Sequence, residues 1–297
     1  YDQGRGNPET AARIEAIEDQ MIASGLSRCV VPLSSAQASM EDVLRAHDQS
    51  YLEELKRSSL SDSVTMISDD TEVNKLSFEA AMKSAGAAIE AVRQVCSGTL
   101  RNAFACIRPP GHHAGRSFAH GFCLINSVAC AALHALDAIG LKKVAILDID
   151  VHRADGTEDI VKNDPRIKLF SLYQASAFPF GVPQATASNI FNTPLPEGSE
   201  GSDVLRIINE QWVPRLLDFR PDLILVSAGF DAHRDEKQAM LKLTEFDYSY
   251  LTYEIMRVAR AVCGGRIVSI LEGGYNIRSL ARSAVAHITT LARGVRE

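Results

Sequence analysis

The chain has no apolar run long enough to span a bilayer, no Lys/Arg-rich tract, no CxxC pair and no Pro/Gly/Ser-rich linker. Each absence removes a class of function. A membrane helix needs about 20 consecutive apolar residues, so no membrane partner is expected. Without a basic tract, and with a formal net charge of -6, direct contact with nucleic acid is not expected either. The six cysteines, Cys29, Cys96, Cys106, Cys123, Cys130 and Cys263, are scattered and mostly in apolar surroundings. They read as free thiols of a reducing compartment, not as disulfides or a thiolate zinc site. The opening Tyr1-Asp2-Gln3-Gly4 is unlike a signal peptide, so a cytoplasmic location is expected, or a nuclear one in a eukaryote. With no linker, repeat or low-complexity tract, residues 1–297 are expected to form one domain.

What is there is an ordinary globular composition, 46% hydrophobic and 23% charged. Asn7-Pro8-Glu9 reads as a helix start, with the helix ending at Gly25. Cys29 to Leu33 reads as a short strand, 58–74 as a polar surface loop, and Leu76 to Cys96 as a long Ala-rich helix. Strand and helix signals then alternate. Strands are expected at Ala103–Ile107, Val144–Asp150, Ile167–Leu172, Leu223–Ala228 and Arg266–Leu271. Helices are expected at Leu124–Ile139, Glu158–Lys162, Asp203–Leu217, Glu245–Cys263 and Ile277–Arg293, with a long irregular loop from Tyr173 to Gly201. Such alternation predicts a parallel sheet covered by helices on both faces.

Four of the expected strands end in polar clusters. They are Arg108-Pro-Pro-Gly-His-His113, Asp148-x-Asp150-x-His152, Ala228-Gly-Phe-Asp231 and Glu272-Gly-Gly-Tyr275. The carboxyl ends of parallel strands share one edge, where ligands bind in open α/β sheets. Asp150, His152 and Asp231 could converge there as a three-ligand metal site with a position left open, as catalytic metals require. The mixed oxygen and nitrogen donors suit zinc, and also iron(II), cobalt or manganese. Plain alternatives are an Asp-rich turn, and a helix cap at Asp231. His112 and His113 follow a rigid Pro-Pro-Gly turn, and Asp148 and Asp155 are the carboxylates left to orient them as acid and base. A phenol at Tyr275, after two glycines, could donate to a developing oxyanion. Phe122 and Phe178 could wall a slot for an alkyl chain.

The same stretches carry a resemblance. Arg108-Pro-Pro-Gly-His-His-Ala114, Gly121-Phe-Cys-Leu-Ile-Asn126, Asp148-Ile-Asp-Val-His152, Ser227-Ala-Gly-Phe-Asp-Ala-His233 and Leu271-Glu-Gly-Gly-Tyr275 are similar to motifs of the zinc-dependent histone deacetylase family, in particular the bacterial and class II branch that includes acetylpolyamine amidohydrolases. The resemblance covers nearly the whole chain. It implies the arginase/deacetylase fold, a three-layer α/β/α sandwich on a mainly parallel sheet of about eight strands. It implies one zinc on Asp150, His152 and Asp231, and an acid/base pair of His112 backed by Asp148 and His113 backed by Asp155. Tyr275 becomes the oxyanion donor. Gly121, Phe122, Phe178, Gln238, Gly273 and Gly274 would line the substrate tunnel, and Asp148, Ser171 and Leu172 a structural potassium site. The implied partner is an acetylated lysine in a peptide or protein, or a small acetylated amine.

The chain departs from the family pattern in places. The family's HHGNG or HHGDG reads His152-Arg-Ala-Asp-Gly156, so Arg153 stands for a His and Ala154 for a Gly. SLHQ reads Ser171-Leu-Tyr-Gln174, and the Gly-rich loop that follows is replaced by 178–188. None of these removes a metal ligand or Tyr275, so they bear on specificity and rate more than on reaction type. The favoured reading is a metal-dependent amidohydrolase acting on acyl-lysine, with an acetylpolyamine hydrolase as the alternative. Asp231-Ala-His-Arg-Asp235 is similar to the DAHxD of dinuclear manganese hydrolases of the arginase type, a weaker reading. A binding module that has lost catalysis is weaker still, because the ligand set is intact.

Overall fold

Val144 to Leu147, Leu223 to Val226 and Ile267 to Leu271 are fully or almost fully buried. Continuous apolar runs of this kind form strands that need cover on both faces. The computed structural model describes residues 6–61, 63–182 and 184–294. The opening Tyr1-Asp2-Gln3-Gly4 lies outside them, as does Pro183 of the 178–188 loop.

In chain order the elements are α1 (Ala12–Ala23), α2 (Met40–Leu44), α3 (Gln49–Ser59), β1 (Thr65–Met66), β2 (Glu72–Val73), α4 (Ser77–Cys96), β3 (Asn102–Ala105), α5 (Ser127–Asp137), β4 (Val144–Asp148), α6 (Asp155–Val161), β5 (Ile167–Gln174), β6 (Ile190–Leu195), α7 (Gly201–Ile207), α8 (Val213–Phe219), β7 (Leu223–Ala228), α9 (Glu245–Cys263), β8 (Ile267–Leu271) and α10 (Ile277–Arg293). Six strands form a parallel sheet in the order β3-β8-β7-β4-β5-β6. From β4 the chain moves one way to β5 and β6, then returns to the other side of β4 for β7 and β8. The crevice between β4 and β7 is therefore the switch point at which α/β sheets bind ligands. Asp148 closes β4 in register with Ser171 of β5 and Ser227 of β7.

The differences from the sequence expectations are local. Among the described residues the parallel sheet has six strands rather than about eight; β1 and β2 form a separate antiparallel pair inside the stretch expected to be a surface loop. Cys29 to Leu33 is not a strand: Val31 and Leu33 are exposed, and of its apolar residues Val30 alone packs partly against the core. Strand β6 lies inside the expected irregular loop. It contains Asn192 and Pro194 and is only half-buried at most positions, a composition tolerated at a sheet edge. Helix α1 starts at Ala12, and Asn7 instead accepts from Glu9 N at 2.8 Å. The helix expected over Asp203–Leu217 is α7 and α8 joined by a π turn at Ile208–Trp212. Helix α5 begins at Ser127 because Asn126 caps it, Oδ1 accepting from Ala129 N at 2.9 Å.

Asn126 also joins the site loops to the core. Its Nδ2 donates to Ala114 O and Thr157 Oγ1, both at 3.0 Å, and its main-chain N donates to His47 Nε2 at 2.9 Å. His47 Nδ1 donates to Gly115 O at 2.8 Å. Burial, chiefly, lowers the His47 pKa to about 4. The folded protein thus holds His47 neutral, and a proton on Nε2 would destroy the bond to Asn126. A folded pKa below the unfolded value gives stability that is complete above about pH 6.5 and lost as pH falls. Between pH 7.5 and 5.5 the wild type should lose about 1.4 kcal/mol more unfolding free energy than His47→Gln, which cannot titrate there. Urea titrations of both at the two pH values measure that double difference, and parallel losses would remove His47 as the cause.

Candidate active site

The segment Asp148-Ile-Asp-Val-His152 leaves the sheet by folding back on itself. Strand β4 ends at Asp148, two residues sooner than expected, so strand alternation does not aim the ligands. Short carboxylate turns do. Asp148 Oδ1 accepts from Asp150 N at 3.1 Å, and Asp150 Oδ1 accepts from His152 N at 2.9 Å. An Asp side chain bonding the main chain two residues on is a stable turn, and two in succession bend the chain so that Asp150 and His152 face inward.

Asp231 meets them from the end of β7. Its Oδ1 accepts from Val151 N at 3.0 Å, whereas Oδ2 is buried with no hydrogen-bond partner. His152 Nδ1 lies 2.9 Å from Asp150 Oδ1 and 3.3 Å from Asp231 Oδ2. The three side chains offer ligand atoms all within 4.8 Å of one another. Two glycines make the space: a Cβ on Gly229 would come within 2.1 Å of Asp150 Oδ2, and one on Gly273 within 2.0 Å of Asp231 Oδ2. Gly273 N also donates to Asp150 Oδ2 at 2.9 Å. Burial and the neighbouring Asp150 raise the Asp231 pKa. Burial opposes a charge on His152, yet Asp150 and Asp231 lift its pKa to about 10. Two buried carboxylates, one with an orphaned oxygen, and an imidazole aimed at the same point form a donor set that suits a divalent cation.

His112 and His113 stand beside this triad in different environments. His112 Nδ1 is 3.1 Å from Asp148 Oδ2, and its Nε2 is 3.7 Å from Asp150 Oδ1. Burial works against its charge, but Asp150 and Asp148 outweigh it and raise its pKa well above the usual imidazole value. His113 Nδ1 is 2.7 Å from Asp155 Oδ1. Burial and the charge on His112 lower its pKa to about 3 in spite of Asp155. The loop carrying both is tied to β8 by Glu272, whose Oε2 accepts from Gly111 N at 2.7 Å and His112 N at 3.1 Å. Burial pushes the Glu272 carboxyl up to about 7.

Tyr275 is half-buried, its ring edge-on to Phe122 at 5.6 Å between centroids. Burial raises the phenol pKa well above 10, and Asp231 and Asp150 add to the shift against the opposing pull of Arg13. The phenol therefore keeps its proton. Phe178 stands over the other side, 4.9 Å from the His113 ring and 6.4 Å from that of His152. Gly121, at φ +57, has no room for a side chain, because a Cβ would come within 2.3 Å of His113 Cδ2 and 3.1 Å of Phe178 Cε1. Gln238 is exposed on a cavity of about 320 Å³ that reaches His152. Of the two glycines expected in the tunnel, Gly273 lies against the carboxylates of Asp150 and Asp231, and Gly274 is bonded from behind through its carbonyl. Asp148, Ser171 and Leu172 are all buried at the β4–β5 edge.

Several residues that shape the site give little local signal. Glu9 is buried with Arg13 and Arg108, at 3.2 and 2.7 Å. Arg13 then donates to Gly274 O at 2.8 Å and to Glu272 O, and its guanidinium sits 4.9 Å from the centre of the Tyr275 ring. Glu236, near the rim in sequence, is buried and accepts from Tyr275 N at 2.8 Å and Asn276 N at 2.9 Å. Asp70 accepts from Gly121 N at 3.0 Å and Thr71 Oγ1 from Phe122 N at 2.9 Å, so the expected surface loop holds a wall of the mouth. The departures Arg153 and Tyr173 turn to the 178–188 loop: Arg153 Nη1 donates to Val182 O at 3.0 Å, and Tyr173 OH accepts from Gln184. Replacing Asp231 by Ala should abolish divalent-metal binding while leaving the fold intact. Metal analysis of the purified variant beside its circular dichroism spectrum checks this, and full occupancy would refute the ligand set.

Comparison with known proteins agrees with this geometry. Residues 7–291 match the family model described as the histone deacetylase domain. The chain is 36% identical to Histone deacetylase 14, chloroplastic, of Arabidopsis thaliana, over 93% of this chain and 71% of that protein. It is 34% identical to a probable deacetylase of Archaeoglobus fulgidus, over 93% of this chain and 79% of the relative. It is also 32% identical to Polyamine deacetylase HDAC10 of Mus musculus, over 95% of this chain but 44% of that protein. The crystal structure of the HDA15 HD domain superposes with a TM-score of 0.91 at 30% identity, covering 99% of this chain and 85% of that one. The matching six-stranded fold, the candidate metal triad at its switch point and these relatives lead to one conclusion: the chain belongs to the histone deacetylase domain family, enzymes of the zinc-dependent amidohydrolase class.

Proposed function

We propose that the protein removes acetyl or short acyl groups from amines, with acyl-lysine in a peptide or protein as the main substrate and zinc as the metal. The observation that carries this is the donor set of Asp150, His152 and Asp231 lying beside two buried His–Asp pairs. Bound to Asp150, His152 and Asp231, zinc would supply a Lewis acid that lowers the pKa of water and polarises the amide carbonyl.

The residues divide the proton work. His113, neutral and tied through Nδ1 to Asp155, presents Nε2 as the base that takes a proton from the attacking water. His112 keeps its proton beside Asp148, which is outside the ligand set, and gives it to the departing amine. Groups with opposed environments are suited to such separate roles. Tyr275, its phenol protonated, donates to the oxygen that gains charge on the acyl carbon. Phe122 and Phe178 enclose the alkyl chain and exclude water.

The mouth supports the choice of substrate. Its charged members Glu197 and Lys237 are of opposite sign, and Gln238 adds none. Glu236 is occupied by the main chain of Tyr275 and Asn276. Among the residues lining that cavity, a second ammonium on a polyamine would meet one carboxylate, Glu197, which already accepts from Ser176 Oγ at 2.6 Å. Likeness to the mouse polyamine deacetylase keeps acetylpolyamines as the second reading. Comparing kcat/KM for acetyl-lysine peptides, acetylputrescine and acetylspermidine decides between them. The peptides should be at least comparable, and a polyamine preference above about a hundredfold, roughly 2.7 kcal/mol in transition-state binding, would reverse the assignment. Tyr275→Phe should keep metal and fold but lose roughly two to three orders of magnitude in kcat; near-normal turnover would take the oxyanion role from Tyr275.

A further inference from the structure

Asp155 opens α6 and has an imidazole on each oxygen. His113 Nδ1 is 2.7 Å from Oδ1, and His120 Nε2 is 2.7 Å from Oδ2. The deacetylation chemistry above uses the first contact and leaves the second without a role. His113, His120 and Asp155 also form the other group among the described residues whose ligand atoms lie within 4.8 Å. A hydrogen-bonded relay describes it better than a metal centre. Both carboxylate oxygens are at hydrogen-bond distance from ring nitrogens, and none of its atoms is among the buried polar atoms without a partner, whereas Asp231 Oδ2 is.

The His120 ring is fixed on several sides. Phe118 and Phe178 meet it edge-on at 5.3 and 5.0 Å, and the His113 ring lies 5.5 Å away. Its carbonyl accepts from Cys123 N at 3.0 Å, and the next residue, Gly121, is held by Asp70. The side chain is 19% exposed, against 4% for His113. His120 is thus the member of the relay that reaches towards solvent.

A buried carboxylate with one oxygen unserved is free to turn towards another donor. A donor on Oδ2 fixes the carboxylate plane, and Oδ1 then stays on His113 Nδ1. That bond keeps the His113 proton on Nδ1 and the lone pair on Nε2, where the base must act. The geometry points to His120 as a positioning residue for the His113 base: its Nε2–H locks Asp155, and through Asp155 it sets the tautomer and aim of His113. Burial opposes the charge on Asp155, but the two imidazoles outweigh it and hold its pKa below the usual carboxylate range. The effect on rate rests on the deacetylation reading; the effect on the hydrogen bond does not.

The test compares two variants of the metal-loaded protein. His120→Phe keeps the aromatic packing and removes the donor. His120→Gln returns an N–H near the position of Nε2. His120→Phe should lower kcat on an acetyl-lysine peptide by about tenfold to a hundredfold, the usual effect of losing an orienting partner, with KM little changed. The hydrogen-bonded Nδ1 proton of His113, a downfield imidazole resonance assigned by its absence in His113→Ala, should broaden or vanish. His120→Gln should recover the resonance and most of the rate. A role in packing alone predicts the reverse order, with Phe tolerated and Gln impaired, and that result would overturn the inference. So would an intact His113 resonance in His120→Phe. If the wild type hydrolyses no acyl-amine, the deacetylation reading fails and the resonance alone decides the role of His120.

Discussion

Two carboxylates buried side by side govern this structure. Asp150 and Asp231 are wholly shielded from solvent at the edge where β4 and β7 end. Like charges at such a separation in a low dielectric repel strongly, and their desolvation adds to the cost. The fold keeps them there by anchoring one oxygen of Asp231 and both of Asp150. Val151 N serves Asp231 and His152 N serves Asp150, with Gly273 N on the second Asp150 oxygen. Glycines at 229 and 273 leave the room that these side chains fill. Such an arrangement suits a divalent cation between the two carboxylates, with the imidazole of His152 as the third donor.

The surrounding acids extend the same logic. Burial raises Asp148 to about 6 and Glu272 to about 7, in spite of the nearby His112. Each is tied to a loop that must not move: Asp148 to the turn at Asp150, Glu272 to the main chain of Gly111 and His112. Further out, Arg13 links the main chain behind Tyr275 to Glu9, and Glu236 holds the Tyr275 turn from the other side. The groups proposed to react stand on loops, and the loops that carry them are pinned by buried charges or main-chain hydrogen bonds. This is how a site on irregular backbone acquires the rigidity that oriented proton transfer needs.

The parts legible in the sequence were those with a local or periodic signal. Val144 to Leu147 and Leu223 to Ala228 are strands because continuous burial demands apolar runs. Thr244 and Gly264 bracket α9 with a capping box and a left-handed glycine, which fixed its ends at the expected residues. Strand β6 lacked such a signal, since Asn192 and Pro194 are acceptable only because the strand lies at an edge. Strand β4 was expected to run on to Asp150, but it ends at Asp148 and carboxylate turns bring Asp150 and His152 inward. The Asp70–Gly121 contact spans 51 residues, and no pattern in a polar loop reports a partner so distant. His120 is equally silent: one histidine before a glycine has no periodicity, and its meaning emerges only when Asp155 is seen with an imidazole on each oxygen.

The central claim is that one metal site, formed by Asp150, His152 and Asp231, carries the hydrolysis. Metal content per chain, measured with acetyl-lysine hydrolysis on the same sample before chelation, after chelation and after restoring zinc, tests it most directly. The account predicts one divalent ion per chain, loss of activity in step with loss of that ion, and recovery at one equivalent. Two ions per chain, or turnover that survives complete removal of metal, would contradict it.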